Sequence, residues 1–349
     1  MREPIRTVVL GSGHMGSEII RLILEKEGFA LAGVYGKRKS RQGMDVGEAL
    51  GLGRELGVSI DTDLPGLLDR TKPDVVVQAT SSTMPQSEAE MTAALEAGAD
   101  VVSISEEASF PWHKSPEIAE KLDALARKRG KSVLGTGINP GFVLDLLVIA
   151  LTGVCYRVDR IKATRVNDLS PYGYNVMKTQ GVNLTREDFE NGVADGSVVG
   201  HFGFPESMRM IAGALGWKID RIVENREPII STVERDGGEA GTIRPGYTAG
   251  CNHTGIAYDA AGNPIIELYH PQQVHPEAEG QETGDYIEIY GQPEIRFSSG
   301  PEIPGGIGTV ALAVNMIPKV IDAEPGFRTM ADLPVPSALM ADVRTLLKR

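Results

Sequence analysis

Two adjacent carboxylates, Glu106 and Glu107, end the stretch DVVSISEE that begins at Asp100. The apolar run before them reads as a strand buried on both faces. Glutamates are mostly solvated, and a surface turn would account for the pair. A carboxylate at the carboxyl end of a buried parallel strand has another use. It can stabilise an ammonium or iminium, or act as general base for water attacking an imine or ammonia attacking a ketone. Burial would raise its pKa toward working pH. Neighbouring residues diverge at a strand end, so one of the two is expected to point into a site. The other is expected to anchor the loop or cap the helix that begins near SPEI.

A second chemical signature lies in VVLGSGHMGSEI, where Gly11, Ser12, Gly13, His14, Met15 and Gly16 form a G-x-G-x-x-G loop. With 41 glycines in the chain the pattern alone is weak. Its context is informative, because it follows a strand and opens a helix. Gly11 permits the tight turn, Gly13 lets backbone approach a pyrophosphate, and Gly16 allows close helix–strand packing. The helix N-terminus offers free N–H groups to phosphate. The end of the second strand reads GVYGKRKSRQG, with no acid for a ribose 2′-hydroxyl. Lys37 and Arg38, followed by Lys39, Ser40 and Arg41, stand where a 2′-phosphate would lie, so NADP is the expected cofactor, with NAD still open. Thr80, Ser81 and Ser82 end another strand, where their hydroxyls would bond ribose or phosphate, or cap the next helix. In GTGINPGF, the glycines Gly135, Gly137 and Gly141 are expected to give a flexible approach to ligand around Asn139, and Pro140 to fix the turn ahead of the helix. The Asn139 amide matches a nicotinamide carboxamide, and an ordinary interdomain turn is the alternative.

The rest of the chain excludes several classes. A formal net charge of −12 argues against nucleic-acid and anionic-membrane partners. The six histidines show no metal-ligand spacing, so no metal is expected. Cys155 and Cys251 are far apart and in no CxxC, which fits a reducing compartment. The apolar stretch GFVLDLLVIALTGV is too short to span a bilayer. A cytoplasmic protein is expected.

Strand–helix alternation from Arg6 to Thr136 implies an α/β, Rossmann-type dinucleotide-binding domain over residues 1–145. Residues 146–300 change texture. RVDRIKATRVNDLS, TAGCNHTGIAYD, PIIELYHP and DYIEIYG read as strands of an open, mostly antiparallel sheet in a second, α+β domain for substrate and dimerisation. Residues 301–349 are expected to be helical and to pack back on the first domain.

These residues, together with MKTQGV, IELYHPQQVHPE, TGDYIEI, NMIPKVIDAEPG and MADLPVPSALM, resemble the 2,4-diaminopentanoate dehydrogenases, relatives of dihydrodipicolinate reductase and of native amine dehydrogenases. The resemblance covers nearly the whole chain. It implies an NAD(P)-dependent, reversible oxidative deamination of 2,4-diaminopentanoate to 2-amino-4-oxopentanoate and ammonia. It places an active-site glutamate at Glu106 or Glu107, Glu106 first, and Asn139 and Asn167 beside nicotinamide and substrate. The substrate carboxylate needs a cation, for which Lys178, Arg165, Arg244 and His253 are candidates, His253 being equally readable as a satisfied core histidine. The basic motif of the dihydrodipicolinate reductases is absent, which speaks against that substrate. The partners expected are a small amine or amino-ketone substrate, ammonia and a second copy of the chain in a homodimer. Two other functions compete: a broader dehydrogenase of simple amines, and a dinucleotide sensor without turnover.

Overall fold

The structure, a computed structural model, describes residues 3–348. The chain folds as two compact units, one holding the residues up to Phe142 and those from Gly305 onward, the other Val143–Pro304.

In the first unit the chain alternates β1 (Ile5–Leu10), α1 (His14–Glu25), β2 (Phe29–Tyr35), α2 (Val46–Ala49), β3 (Ile60–Asp61), α3 (Leu64–Thr71), β4 (Val75–Gln78), α4 (Met84–Glu96), β5 (Asp100–Ser103), α5 (Pro116–Arg129) and β6 (Ser132–Gly135). Local signals place these helices. Asp63 caps α3 by accepting from Gly66 N–H at 3.2 Å. Helix α5 opens on Pro116, carries Arg127, Lys128 and Arg129 in its last turn and stops at Gly130 with φ +66°, each as helix-end sterics and the helix dipole favour.

With β15 (Gly326–Arg328), the strands form one seven-stranded, all-parallel sheet in the order β15-β6-β5-β4-β1-β2-β3. Val8, Leu10, Val76, Val101 and Val133 build a core with Leu67, Leu68, Met91, Leu95 and Leu122 of α3, α4 and α5. Fully burying such a side chain is worth about 1.5–3 kcal/mol.

The second unit contains α6 (Leu146–Thr152), β7 (Arg157–Asp168), α7 (Tyr174–Thr179), α8 (Arg186–Asp195), α9 (Phe204–Leu215), β8 (Arg221–Ile230), β9 (Arg235–Asp236), β10 (Thr242–Ile243), β11 (Thr248–Tyr258), β12 (Pro264–Gln273), β13 (Gly284–Gln292) and β14 (Ile295–Ser299). Six of its strands pair in the order β14-β13-β7-β12-β11-β8, all antiparallel except β12 with β7. Alternation sorts the faces: Ile161, Ala163 and Arg165 of β7 are buried, and Arg160, Lys162 and Thr164 between them are partly exposed.

The chain then re-enters the first unit as α10 (Gly305–Asn315), α11 (Ile317–Ile321) and β15 (Gly326–Arg328). The last segment is therefore not only helical. Gly326–Arg328 extends the parallel sheet beside β6, with Phe327 buried against Trp112. Three residues are too few for a strand periodicity to be visible beforehand.

Candidate active site

All the unit-one candidates lie on the carboxyl edge of the parallel sheet, the edge where such folds bind ligands. Gly11 follows β1 with φ +122°, a conformation reserved for glycine, and a Cβ there would sit 2.6 Å from Ala79 O. A Cβ on Gly16 would lie 2.0 Å from Gly11 O, so loop and helix touch backbone to backbone. Gly13 is the N-cap of α1, faces open space and leaves the helix start without a side-chain cap. Ser12, His14 and Met15 are partly or fully exposed around it. This loop, with its uncapped N–H groups, fits a dinucleotide pyrophosphate.

The basic loop after β2 is not one uniform surface. Arg41 is tied to the glycine loop, donating to Ser12 O at 2.6 Å. Arg38 is exposed. Lys37 pairs with Glu90 of α4 at 2.9 Å. The hydroxyls after β4 divide similarly. Thr80 donates to Glu90 and accepts from Gln78 at 2.7 Å, and Ser81 bonds Ser87 at 2.7 Å. Neither caps α4.

The two glutamates occupy a 3₁₀ turn, Glu106–Ser109, directly after β5. Glu107 is buried; its Oε2 accepts the Met84 N–H that opens α4 at 2.9 Å, and its own N–H donates to Ser82 O at 3.2 Å. The capped helix is thus α4, not the one at SPEI, because the turn folds back onto the β4–α4 loop. Glu106 is partly buried. Burial pushes its carboxyl above the ordinary glutamate value and the Glu107 charge adds to this, while the Ser82 hydroxyl opposes it. Ser82 thus sits at this turn, its carbonyl taking the Glu107 N–H.

The turn packs tightly on β6: a Cβ on Gly135 would meet Ala108 O at 2.0 Å. Gly137 and Gly141 likewise pack on the loop's own backbone, with a Gly141 Cβ falling 2.5 Å from Gly137 N. These three glycines serve the turn, where ligand approach was the expectation. Between them, Asn139 is partly buried and both amide atoms lack a hydrogen-bond partner. Pro140 is buried beside it. The loop is held by Thr309 of α10, whose Oγ1 accepts Ile138 N–H at 3.1 Å. Thr309 carried no motif in the sequence and enters only because the chain returns.

In the second unit, the buried face of the sheet carries a polar row. Arg165 lies opposite Asp285 and pairs with it at 2.6 Å, and its other nitrogen donates to Ile303 O. His253 lies opposite His270, and Asn167 opposite Gln272. His253 is a core histidine: Nδ1 accepts His201 N–H at 2.9 Å, and Nε2 lies 3.1 Å from Glu224 without completing a hydrogen bond. Burial first holds its pKa below the usual histidine value. Both ring nitrogens thus face groups of the protein itself. His270, which the sequence reading passed over, is fully enclosed, and neither ring nitrogen has a partner. Burial, and then the neighbouring His201, Arg165 and His253, hold its pKa well below the usual histidine value. Asn167 Oδ1 is also buried and unpartnered. The period of two in ELYHPQQ could have revealed His270, since it shares its face with Leu268 and Gln272. Lys178 and Arg244 are exposed surface residues.

Three groups of relatives match this chain. The family described as 2,4-diaminopentanoate dehydrogenase C-terminal domain matches residues 142–349, and that described as dihydrodipicolinate reductase, N-terminus, matches residues 5–104. A 2,4-diaminopentanoate dehydrogenase of Acetoanaerobium sticklandii is 42% identical over 99% of this chain and 98% of its own length. An amine dehydrogenase of Streptomyces virginiae is 28% identical, covering 96% of this chain and 98% of its own. Among solved structures, an amine dehydrogenase from Mycobacterium smegmatis superposes with a TM-score of 0.84 at 28% identity, over 95% of this chain and 97% of that one. The parallel sheet with its glycine loop is a dinucleotide-binding fold, and the full-length likeness extends through both units. The chain belongs to the 2,4-diaminopentanoate dehydrogenase family.

Proposed function

We propose that the protein catalyses the NAD(P)-dependent oxidative deamination of 2,4-diaminopentanoate to 2-amino-4-oxopentanoate and ammonia, and the reverse reductive amination. The observation that carries it is Glu106: a partly buried carboxyl, its pKa raised by burial, on the sheet edge that holds the glycine loop.

The glycine loop and the start of α1 hold the pyrophosphate, Asn139 meets the nicotinamide carboxamide, and Arg38 meets a 2′-phosphate. When bound, a nicotinamide would supply the acceptor for the hydride of the substrate's C4. Glu106 takes a proton from the C4 ammonium, so that the free amine can support departure of the hydride. The product of that step is an iminium; Glu106 passes the first proton to solvent, and the regenerated carboxylate stabilises that cation. Glu106 then deprotonates the attacking water, and returns the proton to nitrogen as ammonia leaves. Glu107 holds the turn. In the second unit, Asn167 and His270 keep buried polar atoms without a hydrogen-bond partner, and such atoms are costly unless a polar ligand meets them.

NADP is the favoured coenzyme in this reading, on the strength of the basic loop. We extend the reading to a cytoplasmic homodimer. The free cysteines are compatible with a reducing compartment, and sedimentation tests the dimer.

The test is turnover of 2,4-diaminopentanoate with NADP+ and NAD+ in parallel, with alanine and a simple amine as controls. Selective turnover of the diamino acid is the expected result. Turnover of simple amines alone would shift the assignment to a broader amine dehydrogenase, and coenzyme binding with no turnover would leave a sensor.

A further inference from the structure

An ion pair followed by a chain of hydrogen bonds crosses the carboxyl edge of the first sheet. It starts at Lys37, whose ammonium lies 2.9 Å from Oε1 of Glu90. Glu90 lies in α4 and is only 5% exposed, whereas the Lys37 side chain is 53% exposed. The other Glu90 oxygen accepts from the Thr80 hydroxyl. Thr80 accepts from Gln78 at 2.7 Å, and the Gln78 carbonyl oxygen accepts from Ser103. Ser103 Oγ in turn accepts Ser105 N–H at 3.0 Å, one residue before Glu106.

A carboxylate this deeply buried is tolerated when a cation and hydrogen bonds compensate it. Thr80 supplies the hydrogen bond and Lys37 the charge. If Lys37 turned to a 2′-phosphate, Glu90 would stay buried without its cation, and near a second anion. The position that appears in the sequence as part of a basic, phosphate-binding loop is thus committed elsewhere. Arg38, next in the chain and exposed, is not so committed.

We propose that Glu90 is a specificity-determining residue of the coenzyme site: it withholds Lys37 from the 2′-phosphate, so that Lys37 and Glu90 form an internally neutral pair and discrimination between NADP and NAD falls to Arg38. This rests on the dinucleotide reading above. The acid that NAD enzymes place at the end of the second strand is here supplied from α4, and it acts on a lysine instead of on the ribose.

The test measures binding of adenosine 2′,5′-bisphosphate and of 5′-AMP by calorimetry, to the full-length protein and two variants. Glu90→Gln keeps the Thr80 hydrogen bond and frees Lys37. The preference for the bisphosphate should rise about five- to tenfold over wild type, the value of one added, partly screened phosphate contact. In Lys37→Met/Glu90→Gln both charges are gone, and the preference should stay within about twofold of wild type. The double variant buries no unpaired charge, so it remains informative if Glu90→Gln folds poorly. An unchanged preference in Glu90→Gln overturns the proposal. So does a loss of about tenfold or more in the double variant, which would mean that Lys37 already grips the phosphate. Failure of the wild-type protein to bind either nucleotide would instead overturn the dinucleotide reading, and this inference with it.

Discussion

Replacing Glu106 and Glu107 by glutamine, one at a time, separates the carboxylate that moves protons from the one that holds the turn. Glu106→Gln keeps size and hydrogen bonding but takes no proton. A positioned acid–base group contributes about 10²–10⁴-fold, so kcat with 2,4-diaminopentanoate should fall by about that factor. Stability should move the other way. Burial raises the Glu106 carboxyl above its ordinary 4.5. At low pH the folded and unfolded chains are both protonated. As pH rises past the ordinary value the unfolded chain ionises first, and the folded state loses stability until its own raised pKa is passed. Glutamine carries no such penalty, so Glu106→Gln should be at least as stable as wild type at neutral pH. Glu107→Gln still accepts Met84 N–H; it loses a charge at a helix start, about 0.3–1 kcal/mol, and a loose ion pair with the partly exposed Lys114 at 3.8 Å. Its kcat should stay near wild type. Glu107→Ala leaves that buried N–H unmet and should cost about 1–3 kcal/mol. The assays are absorbance of the reduced nicotinamide at saturating substrate, and chemical denaturation at neutral pH. A Glu107→Gln enzyme that loses kcat beside a Glu106→Gln enzyme that keeps it would refute the assignment.

Arg38→Ala should raise the KM for NADP+ by an amount equal to about 1.5–3 kcal/mol and leave that for NAD+ nearly unchanged; equal effects on both would remove Arg38 from the 2′-phosphate. Asn139→Ala removes an amide whose two polar atoms have no partner in the protein. It should weaken coenzyme binding more than it weakens the fold, as read by fluorescence titration and thermal melting, and the opposite order would make Asn139 structural. His270 is kept neutral when folded, whereas the unfolded chain gains a proton as pH falls through 6.5. Wild-type stability should therefore decline with falling pH below that value, by up to about 1.4 kcal/mol per pH unit for this residue. Denaturation of His270→Gln across the same range should show a shallower decline, and an unchanged slope would contradict the burial argument.

Local chemistry decided what could be read from the chain alone. The strand–loop–helix around Gly11, Gly13 and Gly16 is legible because glycine and periodicity act over a few residues. The same holds for the alternating strands of the second unit, and for Glu106 at a strand's end. What each polar group does depends on partners distant in sequence. Lys37 and Arg38 are alike in the sequence, and Glu90, more than fifty positions away, makes one a neutralised ion pair and leaves the other exposed. Glu106 and Glu107 are identical residues, yet the Met84 N–H engages one, and burial raises the pKa of the other. His253 was a candidate from the sequence, and its ring lies against His201 N–H and Glu224; His270 was not, and neither of its ring nitrogens has a hydrogen-bond partner. Residue type sets which interactions a side chain can make. Only the tertiary fold brings the partner, and the desolvation that makes the partner matter, to within a hydrogen bond.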